Sequence, residues 1–192
     1  MERPKTDFWS LPNILTGTRI AAIPVVVLLL RFAQDRPVVA FLAALVFVAA
    51  GATDFFDGFL ARRQRLVSRF GKFMDPLADK LLVSATLIML IPLRDGVPAW
   101  MAFVIIGREL AVTGLRGLAA AEGTILAPDR WGKTKTLLQM LALTALILHH
   151  STRLFDFYWL GMALLWLALI ITVASGVGYF LAFFRQQTRP EA

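Results

Sequence analysis

The sequence predicts an all-α integral membrane protein, a bundle of six transmembrane helices behind a short N-terminal interfacial segment, with both termini in the cytoplasm. Three observations carry that expectation. The chain has 192 residues of which 58% are hydrophobic and 17% charged, with a mean hydropathy of +0.68, more apolar material than a water-soluble core of this size needs. The apolar residues fall in long runs separated by short charged links, the pattern of membrane spans. Lys and Arg gather at alternate ends of those runs, which fixes an orientation.

The elements follow in order. Met1 to Leu11 is a polar start that carries Phe8 and Trp9 and reads as an interfacial segment ending at Pro12. A first span runs through NILTGTRIAAIPVVVLLLRF, with its apolar core from Ile20 to Leu30. No A-x-A cleavage pattern follows it, so the span is retained rather than removed as a secretory leader. Val38–Phe59, Pro76–Leu93, Val97–Leu118, Trp131–Leu148 and Tyr158–Phe184 are the second to sixth spans, the sixth long enough to tilt. The links are short, so residues 1–192 form a single domain with a polar cytoplasmic tail at 185–192.

With the N-terminus inside, the cytoplasmic side receives Arg3, Lys5, Arg62, Arg63, Arg65, Arg69, Lys72, Arg130, Lys133, Lys135, Arg185 and Arg189. The opposite side receives only Arg31, Arg36, Arg94 and Arg153. A net charge of +7 arranged in this way answers to bilayer orientation and anionic partners there, and does not point to nucleic acid. There are no cysteines, which excludes disulfides, thiolate metal sites and a Cys nucleophile.

The chemistry concentrates in Asp54 to Asp79, which reads DFFDGFLARRQRLVSRFGKFMDPLAD. Asp54 and Asp57 are three residues apart and Asp75 and Asp79 four apart, so on helices each pair projects from one face. Asp75 stands before Pro76, where a helix N-cap would sit. The predicted topology brings all four acids to the cytoplasmic ends of neighbouring helices, Asp79 being about 6 Å along its helix from Asp75. Bare carboxylates would repel there, by about 4 kcal/mol per pair at 4 Å and an effective dielectric near 20. A cage of oxygens without His or Cys selects a hard divalent cation, Mg²⁺ or Mn²⁺ above all.

Arg108, half-way along the fourth span, is an intramembrane cation, and such residues face a bundle interior or a wet cavity. With Arg116, Lys133 and Lys135 on the same side it predicts a cationic pocket beside the acidic cage. A metal cage next to a basic pocket, open to cytosol and to lipid, suits chemistry between a lipid diphosphate and a second, phosphate-bearing substrate.

The run D-x2-D-G-x2-A-R-x8-G-x3-D-x3-D, from Asp54 through Asp57, Gly58, Ala61, Arg62, Gly71 and Asp75 to Asp79, resembles in full the signature of the CDP-alcohol phosphatidyltransferase family. LPNILTGTR near the start, GRELAVTGLR in the fourth span and GKTKT in the fifth resemble the glycerol-phosphate branch of that family, so most of the chain is covered. The resemblance implies transfer of a phosphatidyl group from CDP-diacylglycerol to sn-glycerol 3-phosphate with release of CMP. It implies two Mg²⁺ or Mn²⁺ ions on Asp54, Asp57, Asp75 and Asp79, with Asp79 also the base on the attacking hydroxyl. It places Asn13, Thr16, Arg19, Gly58, Ala61 and Arg62 at the CDP-lipid, and makes Arg108, Arg116, Lys133 and Lys135 the candidates for the acceptor phosphate. A homodimer in a bacterial inner membrane, with its active site facing the cytoplasm, is implied on the same ground.

Blander readings compete residue by residue. Lys80 reads as a snorkelling side chain, Glu109 as a structural partner of Arg108, and His149 and His150 as loop residues at the far end of the bundle. Trp159, Phe180, Phe183 and Phe184 read as lipid-facing or belt residues. Two other functions are weighed. A divalent-cation transporter would hold its acids near the midplane and would have no use for the basic cluster. Another acceptor within the family, such as phosphatidylglycerol, serine or inositol phosphate, is the nearer rival, and the cations disfavour serine.

Overall fold

The computed structural model describes residues 11–64, 69–121, 131–152 and 155–187, with side chains at all of these except 11–15, 54–64, 69–73, 75, 76, 131, 133, 186 and 187. Among the described residues there are six α-helices and no strand: α1 Leu11–Arg31, α2 Pro37–Gln64, α3 Arg69–Leu90, α4 Ala99–Ala121, α5 Trp131–His149 and α6 Phe157–Gln187. The expected all-helical architecture is present. The interfacial segment before Leu11 lies outside the described residues, as does the tail after Gln187.

Two helix starts depart from expectation. Leu11 and Pro12 open α1 instead of closing an interfacial segment, in keeping with the preference of proline for the first turn, where an N–H would have no partner. Helix α3 begins at Arg69 and runs unbroken through Asp75 and Pro76, so Asp75 is not an N-cap. Proline inside the helix removes one intrahelical hydrogen bond, a cost the fold accepts in exchange for continuing α3 past both acids on one helix.

The links explain themselves locally. Between α3 and α4 the chain turns back within a few residues: Val97 N–H donates to Leu90 O at 3.3 Å and Asp95 takes φ 54°, a left-handed conformation that Asp tolerates better than most residues. A Cβ on Gly96 would stand 2.1 Å from Leu90 O, so this turn admits only glycine. Asp156 caps α6, its carboxylate accepting from the Tyr158 N–H at 3.1 Å.

Helix α1 packs on α2 and α3, α5 lies along α6 and touches α2, and α4 closes the bundle against α6 and α3. A single large core, including Leu30, Phe47, Leu87, Met101, Leu143 and Leu165, runs between them. The outer surface is apolar as well: Phe103 is 78% exposed, Val38 and Trp159 72% and Leu110 65%. Phe183 departs from the lipid-facing expectation, for it is buried against Ala119 of α4. By length and composition, among the described residues one helix, Phe157–Arg185, is long and apolar enough to cross a membrane, while Pro37–Thr53 and Thr134–His149 are shorter apolar stretches. The apolar run of α4 is interrupted by Arg108, Glu109 and Arg116, residues that belong to the candidate site described next.

Candidate active site

The acids sit on two helices. Asp54 and Asp57 lie in the second half of α2, and Asp75 and Asp79 in the first half of α3. The side chains of Asp54, Asp57 and Asp75 fall outside the described residues, as do those of Asn13, Gly58, Ala61, Arg62 and Lys133. Asp79 is half-buried. Among the described residues there is no group of three or more His, Cys, Asp and Glu able to hold a metal. The set of four carboxylates nevertheless fits a hard divalent cation by the chemistry of its oxygens.

What the structure adds is the brace behind the acids. Arg19 of α1 is fully buried, at 1% exposure. Its Nε donates to Ala50 O at 3.3 Å and its Nη2 to Thr53 Oγ1 at 3.4 Å. Thr53 Oγ1 in turn donates to Ala50 O at 2.6 Å. Arg19 therefore ties α1 to the turn of α2 that ends at the residue before Asp54. A buried guanidinium is costly to desolvate, and its hydrogen bonds to these oxygens offset that cost. Thr16, one turn earlier on α1, is also buried. Sequence reading placed Arg19 at the ligand; this geometry gives it bonds to α2, and Thr53 was not foreseen at all.

The cations form the other half. Arg108 Nη1 lies 2.9 Å from Glu109 Oε1, and Lys135 Nζ of α5 pairs with the same oxygen. Arg108 Nη2 donates to Ser175 Oγ of α6. Three helices thus converge on the Arg108–Glu109 pair, and GRE of α4 meets GKTKT of α5. Arg108 and Lys135 are brought together; Arg116, two turns further along α4, is exposed. The Glu109 pairing with Arg108 agrees with the structural reading of that residue, and its capture of Lys135 as well was not visible in sequence. The missed partners, Ser175 with Gln139 and Thr172 below it, left one signal, polar side chains in otherwise apolar helices; Gln139 Nε2 donates to Thr172 Oγ1 at 3.4 Å with both residues buried.

Lys80 joins the halves. It stands next to Asp79 on α3, and its Nζ donates to Thr113 Oγ1 of α4, while Thr113 Oγ1 is anchored on Glu109 O at 2.6 Å. Glu109, Arg116, Asp79 and Arg108 all lie within electrostatic reach of its ammonium. Lys80 thus crosses to a neighbouring helix, which differs from the snorkelling expected of it.

His149 and His150 lie away from these charges, as expected, but His149 is more than a loop residue. It ends α5, with Nε2 3.6 Å from Asp95 and Nδ1 3.3 Å from Asp156, so it clasps the α3–α4 link to the start of α6. Burial lowers the pKa of His150, with the neighbouring His149 acting in the same direction and Asp95 against it.

Helix α3, which carries Asp75 and Asp79, thus reaches α4 through Lys80, and α4 meets Lys135 of α5 through Glu109. Residues 9–174 match the CDP-alcohol phosphatidyltransferase family. The chain belongs to that family. A CDP-diacylglycerol–glycerol-3-phosphate 3-phosphatidyltransferase of Bacillus subtilis (strain 168) is 46% identical over 183 residues, covering 90% of this chain and 94% of the relative. One of the same name from Rickettsia bellii (strain RML369-C) is 43% identical over 174 residues, with 90% and 94% covered. A cardiolipin synthase (CMP-forming) of Oryza sativa subsp. japonica is 40% identical over 159 residues, covering 75% of this chain and 47% of the relative. In this CDP-alcohol phosphatidyltransferase, GRE of α4 and GKTKT of α5 meet at Glu109, and Lys80, which follows Asp79 on α3, reaches Thr113 of α4.

Proposed function

We propose that the protein transfers the phosphatidyl group of CDP-diacylglycerol to sn-glycerol 3-phosphate, giving phosphatidylglycerophosphate and CMP. The observation that carries the choice of acceptor is the pairing of Arg108 and Lys135 on Glu109, two cations on different helices that a phosphate dianion can engage together. The names of the bacterial relatives agree with it.

In this reading Asp54, Asp57, Asp75 and Asp79 would hold two Mg²⁺ or Mn²⁺ ions, which would supply positive charge to offset that of the diphosphate and of the CMP leaving group. Asn13, Thr16, Arg19, Gly58, Ala61 and Arg62 receive the CDP-lipid, and Arg19 also braces the helix that carries Asp54. Arg108 and Lys135, with Arg116 and Lys133 around them, hold the acceptor phosphate and so aim its 1-hydroxyl. That oxygen forms a bond to the phosphorus bearing diacylglycerol while the bond from that phosphorus to CMP breaks, and the hydroxyl proton passes to Asp79. Asp79 needs one oxygen clear of metal to act so.

The six helices would cross the inner membrane of a bacterium, their apolar outer faces against lipid, with both termini and the site on the cytoplasmic side. A homodimer is the assembly that the family resemblance implies.

The test is CMP release by purified protein in detergent, supplied with CDP-diacylglycerol, Mg²⁺ and one acceptor at a time. Release with glycerol 3-phosphate, lost on chelation and regained with Mg²⁺, is expected. Release with phosphatidylglycerol in its place would reassign the basic pocket.

A further inference from the structure

The last helix carries no part of the family motif, yet it makes the closest approach to Arg108. Ser175 accepts from Nη2. Next to it, a Cβ on Gly176 would stand 3.0 Å from Arg108 Cγ and 3.1 Å from Nε. The stem of Arg108 therefore lies close against α6 at Gly176, where a side chain would make the arm give way. Glu109 takes Nη1 from the other side. With both terminal nitrogens engaged, the guanidinium plane has little freedom left. Its Nε is buried and has no protein partner among the described residues, and a buried donor of this kind costs about 1–3 kcal/mol unless something accepts from it. An incoming phosphate oxygen is such an acceptor.

We propose that Ser175 and Gly176 are positioning residues for the acceptor, forming with Glu109 a seat that sets the Arg108 guanidinium. This rests on the reading of Arg108 as an acceptor-phosphate ligand. The seat makes α6 a determinant of acceptor affinity through shape. A methyl on Gly176 would push the arm away from α6 by a few tenths of an ångström, and that displacement weakens the hold on phosphate. Ser175 itself is 9% exposed and also donates to Thr172 O at 3.3 Å, so its hydroxyl is fixed from its own helix.

The experiment measures initial rates of CMP release in detergent, with glycerol 3-phosphate and CDP-diacylglycerol varied in turn. Gly176→Ala and Ser175→Ala are each expected to raise the KM for glycerol 3-phosphate by about threefold to tenfold, the range of one ordinary hydrogen bond. The KM for CDP-diacylglycerol should stay within about twofold of the parent value. Gly178→Ala is the control, since a methyl there meets nothing within 4 Å, and it should change neither constant. In an Arg108→Ala background the Ser175 and Gly176 substitutions should have no further effect on the acceptor KM, because the group they position is gone. Should Gly176→Ala fail to fold, Ser175→Ala adds no volume and carries the test alone. An unchanged acceptor KM in the folded variants, an equal rise in Gly178→Ala, or full additivity with Arg108→Ala would each overturn the seat. If Arg108→Ala itself spares the acceptor KM, the pocket assignment falls and the seat with it.

Discussion

The acids and the cations of this site are assembled in opposite ways. All four aspartates come from one continuous stretch, Asp54 to Asp79, at the end of one helix and the beginning of the next. The cations come from α4 and α5 and are positioned by α6, so Arg108 and Ser175, whose side chains touch, are far apart in the chain. A metal cage needs several oxygens at close and fixed spacing, which helical repeats at i+3 and i+4 supply locally. A phosphate pocket needs donors from different directions, which only tertiary packing supplies. The local device should therefore fail outright when one member is lost, and the dispersed one should fail by degrees.

Asp57→Ala is expected to have the largest effect, lowering turnover by about a hundredfold or more, the scale on which single preorganised charged or polar groups act, while the purified variant keeps its helical circular dichroism. Arg108→Ala should follow, raising the KM for glycerol 3-phosphate by about tenfold to a hundredfold, as expected for loss of charge-assisted hydrogen bonds. Arg116→Ala should raise it less than Arg108→Ala does, because Arg116 is exposed and solvent screens it; an effect as large as that of Arg108→Ala would remove the distinction between a held and a peripheral cation. Thr53→Val, which takes away the oxygen that accepts from Arg19 Nη2, should lower stability by about 1 kcal/mol in denaturant or thermal unfolding. If it changed neither stability nor turnover, the brace behind Asp54 would be of no consequence.

The smallest effect belongs to the far end. Burial lowers the pKa of His150, so the unfolded chain binds a proton there more readily than the folded one. The associated stability is fully present above the usual imidazole value near 6.5 and is lost as pH falls toward the folded value. His150→Asn should reduce that acid sensitivity in thermal unfolding and leave turnover at neutral pH unaltered.

This contrast also explains what was legible beforehand. The helices were visible because long apolar runs mark themselves, and the acids because their spacing is local. Asp75 was misplaced at a cap because Pro76 usually signals a helix start, whereas α3 continues through it. The double duty of Glu109, the crossing of Lys80 to Thr113 and the contact of Gly176 with Arg108 had no local signal. Each depends on which faces of two helices meet, and apolar periodicity is uninformative when both the core and the outer surface are apolar. Phe183, buried although it sits in a run of exposed aromatics, misled for the same reason.

The central claim is that acids serve the CDP-lipid and its metals while the cations of α4 and α5 serve the acceptor. Steady-state kinetics of purified Arg108→Ala, with both substrates varied at saturating Mg²⁺, test it most directly. A raised KM for glycerol 3-phosphate with the KM for CDP-diacylglycerol unchanged is the predicted result. A raised KM for CDP-diacylglycerol with the acceptor constant unaltered would contradict it and move Arg108 into the nucleotide site.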